Sequence, residues 1–181
     1  MIWVFVVAVV VALILKARLT GFASQSLQGF AALAPSFDPR RDLSGPMACE
    51  GVIYGPTGRV AARFVARMEG RWQGNTGVLT EHFKYDTGVE QDREWRLTIG
   101  RDGRIKAEAD DLVGAGSGQS AGPALRLLYR LRLPATAGGH VVDVTDWLYL
   151  MENGTIMNRS RFSKWGITVG ELVATMRRIA A

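Results

Sequence analysis

From Pro46 onward the chain alternates apolar and polar residues in short runs of period two, punctuated by glycine-bearing turn residues. Such alternation puts one face of each run on a core and the other toward solvent, the pattern of an antiparallel meander. The clearest run is Arg59 to Trp72, with Val60, Ala62, Phe64, Ala66, Met68 and Trp72 on one face and Arg59, Arg63, Arg67, Glu69 and Arg71 on the other. Turn signals at Pro56-Thr57-Gly58, Gln73-Gly74-Asn75, Asp86-Thr87-Gly88, Arg101-Asp102-Gly103, Gly138-Gly139 and Glu152-Asn153-Gly154 divide the remainder. The implied strands are 46–55, 59–72, 77–86, 90–100, 104–113, 123–133, 140–151, 155–165 and 167–177. The last also fits a helix, through Leu172, Val173, Met176 and Ile179.

Eight to nine sequential strands close into a barrel, which removes exposed edges and can enclose one ligand. The expected fold is therefore all-β, an antiparallel lipocalin-like (calycin-type) barrel in residues 46–181 with one N-terminal transmembrane helix. Between the fifth and sixth runs lies a glycine-rich stretch, Gly114 to Gly122, expected as a flexible lid or wide loop at the barrel mouth. Gly116, Gly118 and Ala121 fit G-x-G-x-x-A, but Leu125 to Leu133 alternates like a strand. A dinucleotide fingerprint needs a helix there, so the match is chance.

Met1 to Leu15 is unbroken apolar sequence, ended by Lys16 and Arg18. Fifteen helical residues reach roughly 22 Å, short of a hydrocarbon core of about 30 Å, and snorkelling of Lys16 and Arg18 extends the reach toward Phe22. A cleaved signal peptide is the alternative, but no basic residue precedes the run and no clear small-x-small site follows it. Residues 1–22 are read as an uncleaved single-pass anchor in a bacterial inner membrane. The two charges after the run favour a cytoplasmic soluble domain, with the periplasm as the alternative. Residues 23–45 read either as a linker whose Leu27, Phe30 and Leu33, together with Phe22, dip into the membrane interface, or as a segment packing across one mouth of the barrel.

Composition narrows the function classes. With 22 Lys and Arg against 17 Asp and Glu, the chain carries +5, and setting aside Lys16 and Arg18 leaves 20 against 17, a remainder of +3. No basic block or recognition helix accompanies it, so nucleic acid is not the expected partner, and an anionic lipid surface accounts for the excess. The single Cys49 excludes an internal disulfide and reads as a small buried residue at the start of the first strand. His82 and His140 share no ligand spacing with it, so no metal is expected. No Walker A, G-x-S-x-G or HExxH motif is present, and no cofactor is expected.

The informative exceptions are polar residues that alternation places among apolar ones. Glu81 shares a face with Leu79, Phe83 and Tyr85, and Arg93 shares one with Trp95, Leu97 and Ile99. An inward Glu and an inward Arg on adjacent strands can pair across the ladder. Asp111 follows Ile105, Ala107 and Ala109, Asp146 follows Val142 and Val144, and Asn158 lies with Ile156, Ser160, Phe162 and Lys164. Asp110 and Asp111 are not a two-carboxylate site, because neighbours on a strand point to opposite faces. Three readings stay open. The charges form a buried network that fixes register; or they line a pocket in which Arg93, Arg159 or Lys164 meets an anionic head; or Glu81, Asp111 or Asp146 acts as a general acid or base.

Taken together, Glu81-x-Phe83-x-Tyr85, Arg93-x-Trp95, Ala109-Asp110-Asp111-Leu112-Val113-Gly114-x-Gly116, Asp146-Trp147, Asn158-Arg159-Ser160 and Lys164-x-Gly166 resemble an uncharacterised family of proteobacterial membrane-anchored proteins, domain of unknown function 3833. The resemblance runs from about Phe37 to Arg178. It implies a lipocalin-type barrel, often a lipoprotein, in a genetic context of fatty-acid modification. This chain has no cysteine after its apolar segment to accept a lipid. The expected ligand-binding set is Glu81, Arg93, Trp95, Asp111, Asp146, Trp147, Asn158, Arg159 and Lys164, and the expected partners are membrane lipids or fatty acids. A membrane-tethered acyl binder is expected first, an enzyme acting on such a lipid second, and an accessory subunit of an integral-membrane complex with a filled barrel third.

Overall fold

A computed structural model describes residues 2–19 and 21–179. Ten strands form one closed antiparallel barrel: β1 (Gly45–Tyr54), β2 (Val60–Gln73), β3 (Thr76–Tyr85), β4 (Glu90–Ile99), β5 (Arg104–Glu108), β6 (Gly116–Ala121), β7 (Ala124–Arg132), β8 (Val141–Leu150), β9 (Ile156–Lys164) and β10 (Ile167–Arg178). Each pairs with its sequence neighbours, and β10 closes the ring on β1. The expected all-β barrel is thus present, with ten strands instead of eight to nine. The C-terminal segment is a strand, not a helix.

The additional strand is β6, in the stretch expected as a lid. Glycine carries no hydropathy, so alternation gives no signal there. It is needed because the opposing face is crowded: a Cβ on Gly118 would lie 2.3 Å from Cδ2 of Leu127, and one on Gly116 would lie 2.9 Å from Cβ of Tyr129. The missing side chains make room for the large inward residues of β7.

Before the barrel, the apolar N-terminal segment forms α1 (Ile2–Leu19). Its 18 residues extend about 27 Å. Against the expected transmembrane helix, no helix among the described residues is long and apolar enough to cross a membrane. The side chains of Lys16 and Arg18, expected to snorkel, lie outside the described residues. Residues 23–45 are not a free tether. Phe22, Leu27 and Phe30 pack on the outer wall against Ala124, Trp147 and Tyr149, burying apolar surface that one of the two readings placed in lipid and the other across a barrel mouth. Leu33 stays exposed.

The chain then crosses one end of the barrel. Phe37 and Leu43 join the main core, and the short α2 (Pro39–Asp42) between them is capped by Asp38, whose carboxylate accepts from the Arg40 amide. This floor is seated by the indole N–H of Trp72, which donates to the Leu43 carbonyl at 3.0 Å. It also needs the bare backbone of Gly70: a Cβ there would lie 1.8 Å from the Leu43 carbonyl oxygen. Since the obstacle is backbone, Gly70→Ala is expected to cost about 2 kcal/mol in urea unfolding. An unchanged midpoint would mean the floor is not packed this way.

The opposite end differs. Along β1, Met47 is only 1% exposed, while Ile53 near the other end is half-buried. Inward residues at the corresponding ends of the other strands, Phe83, Tyr85, Leu131, Phe162 and Leu172, are half-buried too. The barrel is a cup with a sealed floor and an apolar mouth that reaches solvent.

Candidate functional site

Halfway down the cup, alternation on β3 and β4 turns Glu81 and Arg93 inward, and the register sets them directly opposite each other. The Arg93 guanidinium lies 4.1 Å above the Trp95 ring and 6.0 Å from that of Tyr129, which stands edge-on to Trp95 at 5.1 Å. Its ion-pair partner is Asp111, not Glu81: Nη2 donates to Oδ1 at 3.1 Å, and Nε lies 2.9 Å from Oδ2 without the alignment of a hydrogen bond. Asp111 comes from the loop after β5. That loop is pinned to β7 by Val113 N–H donating to the Arg130 carbonyl and Arg132 N–H to the Asp111 carbonyl. Asp110 faces outward and pairs with Arg96.

The far side of the cluster is built on Asp146. Its carboxylate accepts from Ser160 Oγ at 2.8 Å and from the amide of Asn158, which also donates to the Trp147 carbonyl at 3.1 Å. The Tyr129 hydroxyl reaches it at 3.5 Å, a weak contact. Glu81 is less well served, because its Oε2 is buried and has no hydrogen-bond partner among the described residues.

These surroundings set the protonation states. Burial pushes the Glu81 carboxyl up to about 7, against the pull of Arg93 and a hydrogen bond from Trp95, with the charges of Asp146 and Asp111 adding to the rise. Burial also raises Asp146, outweighing its bonds from Ser160 and Asn158, and lifts Tyr129 well above a free phenol. It opposes the charge on Arg93, but Tyr129, Glu81 and Asp111 around it prevail, so the guanidinium stays ionised. Nearby Cys49 is core: burial drives its thiol up to about 12, which removes it as a nucleophile.

Of the residues expected in the site, Glu81, Arg93, Trp95, Asp111, Asp146 and Asn158 come together inside the barrel. Three do not. Trp147 is adjacent to Asp146 and so points outward, where its ring stacks parallel to Tyr149 at 5.9 Å and packs beneath Phe30. Arg159 is outward for the same reason, and pairs with Glu171 at 2.9 Å. Lys164 sits at the β9–β10 tip, with Nζ 4.8 Å above the Trp165 ring. Tyr129 and Ser160 were missing from the expected set. Tyr129 shares parity with Leu125, Leu127 and Leu131, and a phenol in a leucine face was the available signal.

A depression of about 650 Å³ on the outer wall of β2–β4 is flanked by Arg67, Glu69, His82 and Asp92. It is open to solvent, and its lining also includes Glu81 and Arg93 of the polar cluster.

The fold and its interior define a closed antiparallel barrel of lipocalin-like form with a polar cluster in its lumen. The chain belongs to the family described as Protein of unknown function (DUF3833), whose model matches residues 16–178. Among solved structures it is similar to Rv2717c from M. tuberculosis, at 15% identity and a TM-score of 0.56, covering 82% of this chain and 99% of that one. It is also similar to the S-type phycobiliprotein lyase CPES from Guillardia theta, at 8% identity and a TM-score of 0.58, covering 87% and 99%. At such identities the likeness is one of fold. No curated protein matches the sequence.

Proposed function

We propose that this protein is a membrane-tethered binder of an acyl lipid or fatty acid, which enters the cup through its apolar mouth and places its polar head at the Glu81–Arg93 cluster. The observation that carries the reading is the buried, unpartnered oxygen of Glu81 beside a guanidinium and beneath a half-exposed apolar rim. Buried polar atoms are almost always satisfied, so an orphan here points to a missing partner. Near neutral pH Glu81 is close to half protonated, so it and Arg93 together suit a carboxylate head that shares a proton with one and accepts from the other. The apolar residues near the mouth suit an aliphatic chain.

The tether is α1. Ile2, Trp3 and Phe5 are 72–80% exposed, an apolar helix surface that water does not favour and a bilayer does. The inner-membrane location, the side of the membrane and the partners of the domain belong to this reading as proposals.

Native mass spectrometry with lipid extraction on the detergent-purified chain tests it. A defined acyl lipid is expected on the wild-type protein and not on Arg93→Met. An empty wild-type protein that associates stably with a membrane complex would replace this reading with the accessory subunit. A second reading, catalysis on the bound lipid, is favoured by Glu81 and Asp146, carboxyls raised toward the range where general acids and bases work. It predicts a chemically altered lipid recovered from the wild-type protein and an unaltered one from Glu81→Gln.

A further inference from the structure

The open end of the barrel carries exposed apolar residues that the interior does not explain. Val60 is 57% exposed, Val89 59%, Ile167 67% and Trp165 86%. They lie at the tips of three hairpins, β1–β2, β3–β4 and β9–β10. Because β1 stands between β10 and β2, and β2 between β1 and β3, these tips are consecutive around the rim. Val60 has the parity of a core residue, yet it stands beyond the last shell of side chains that could cover it.

Trp165 is the most telling of the four. It forms a two-residue hairpin with Gly166 and has a φ of +52°, a conformation in which a bulky side chain is uncommon. Asparagine or aspartate before the glycine is the usual choice in such a turn. A fully projecting indole in this conformation serves neither the turn nor the core, and its exposed ring is met within the described residues by the Lys164 ammonium at 4.8 Å. Indoles favour the boundary between lipid headgroups and acyl chains.

The charges of this rim suit one kind of surface. Its acids are neutralised within the protein: Asp86 by Arg63 at 3.0 Å, Glu90 by Lys84 at 3.9 Å and Asp143 by Arg130 at 3.8 Å. Arg59 and Arg132 carry no ion pair among the described residues, and Lys164 lies over Trp165. Apolar tips with uncompensated cations beside them complement an anionic lipid interface. The closed end also exposes Leu33, Met151 and Ile179 and carries Arg101 and Arg178 without an ion pair among the described residues, but there Met151 is followed by Glu152, an acid likewise unpaired among them.

The path of the chain agrees. Phe22 is held against the outer wall by Arg159 and Arg161, each 4.9 Å from its ring. Arg161 is four residues below Trp165, roughly 13 Å along the strand. Leu19, the end of α1, is three residues before Phe22, a reach of up to about 10 Å. The end of α1 therefore lies within about 10 Å of a wall position some 13 Å below the rim.

We propose that the barrel docks mouth first on an anionic lipid bilayer, with Trp165, Ile167, Val60 and Val89 immersed at the headgroup level and Arg59, Arg132 and Lys164 on the phosphates. The inference rests on the membrane tether in the reading above and does not require that an acyl ligand be bound. A nitroxide is attached to Val89→Cys, Ile167→Cys or, as control at the closed end, Asn153→Cys in the full chain with Cys49→Ala, reconstituted in vesicles of phosphatidylcholine and phosphatidylglycerol. Labels at 89 and 167 are expected to collide with oxygen and be shielded from a water-soluble nickel complex, while the label at 153 is open to nickel. Adding Trp165→Ala, or omitting phosphatidylglycerol, is expected to raise nickel access at 89 severalfold. If the chain floats with the vesicles while 89 and 167 are as open to nickel as 153, the docking proposal is overturned and the tether stands. If the chain does not float, both fall.

Discussion

Glu81→Gln is expected to gain about 3 kcal/mol of stability over the wild-type protein as pH rises from 4 to 8. In the fold the carboxyl titrates at about 7 against an ordinary value of 4.5. Between those two values the native state holds a proton that the unfolded chain has released. Native binding of protons exceeds unfolded binding there, so wild-type stability falls as pH rises through this window and levels off above the folded value. Glutamine keeps the shape and does not titrate. Asp146, shifted in the same direction, titrates in both proteins, so the difference between them reports Glu81 together with its coupling to Asp146. Urea unfolding of both proteins at each pH measures it. A difference independent of pH would show that the Glu81 carboxyl is solvated in the native protein.

Arg93→Met is the second large effect, expected to cost about 3 kcal/mol at neutral pH. Removing one member of a buried pair leaves the other charge uncompensated, and here two carboxyls lean on a single guanidinium. The side chain of Arg93 is 16% exposed and that of Asp111 28%, so water recovers part of the loss and the figure sits at the low end of the range for buried pairs. The contact with the Trp95 face goes as well. Without the guanidinium, Glu81 is held protonated more firmly, so adding Glu81→Gln costs less in the Arg93→Met background than in the wild type. A double-mutant cycle in urea shows this as non-additivity, and strict additivity would mean that the two residues do not sense each other.

The barrel and the pairing of Glu81 with Arg93 were legible because both follow from parity. Nine runs alternate, and a strand cannot alternate without committing one face to a core. Parity was also enough to place Trp147 and Arg159 outside, one step from Asp146 and Asn158, although both were counted in the site on the strength of their residue types. The partner of Arg93 was not legible as a pairing. Asp111 arrives from a loop whose path depends on backbone bonds to β7, and alternation says nothing about loops. The strand β6 was invisible because its inward positions are Gly116 and Gly118, where bulk is excluded by Tyr129 and Leu127. The floor was legible only as one of two readings of residues 23–45: Phe37 and Leu43 are isolated apolar residues in a segment with no period, and their burial is decided by the end they happen to cover.

The seam between β1 and β10 has a consequence for how the chain is made. Met47 pairs with Arg178 and Tyr54 with Glu171, and Thr175 Oγ1 donates to Glu50 at 2.9 Å across the same junction. The first strand to leave the ribosome waits for the last. Until β10 emerges, every growing chain exposes two unpaired strand edges, the templates on which nascent β proteins stick to one another. A ribosome stalled before β10 emerges, or a truncation at Gly166, would therefore release an open, adhesive sheet.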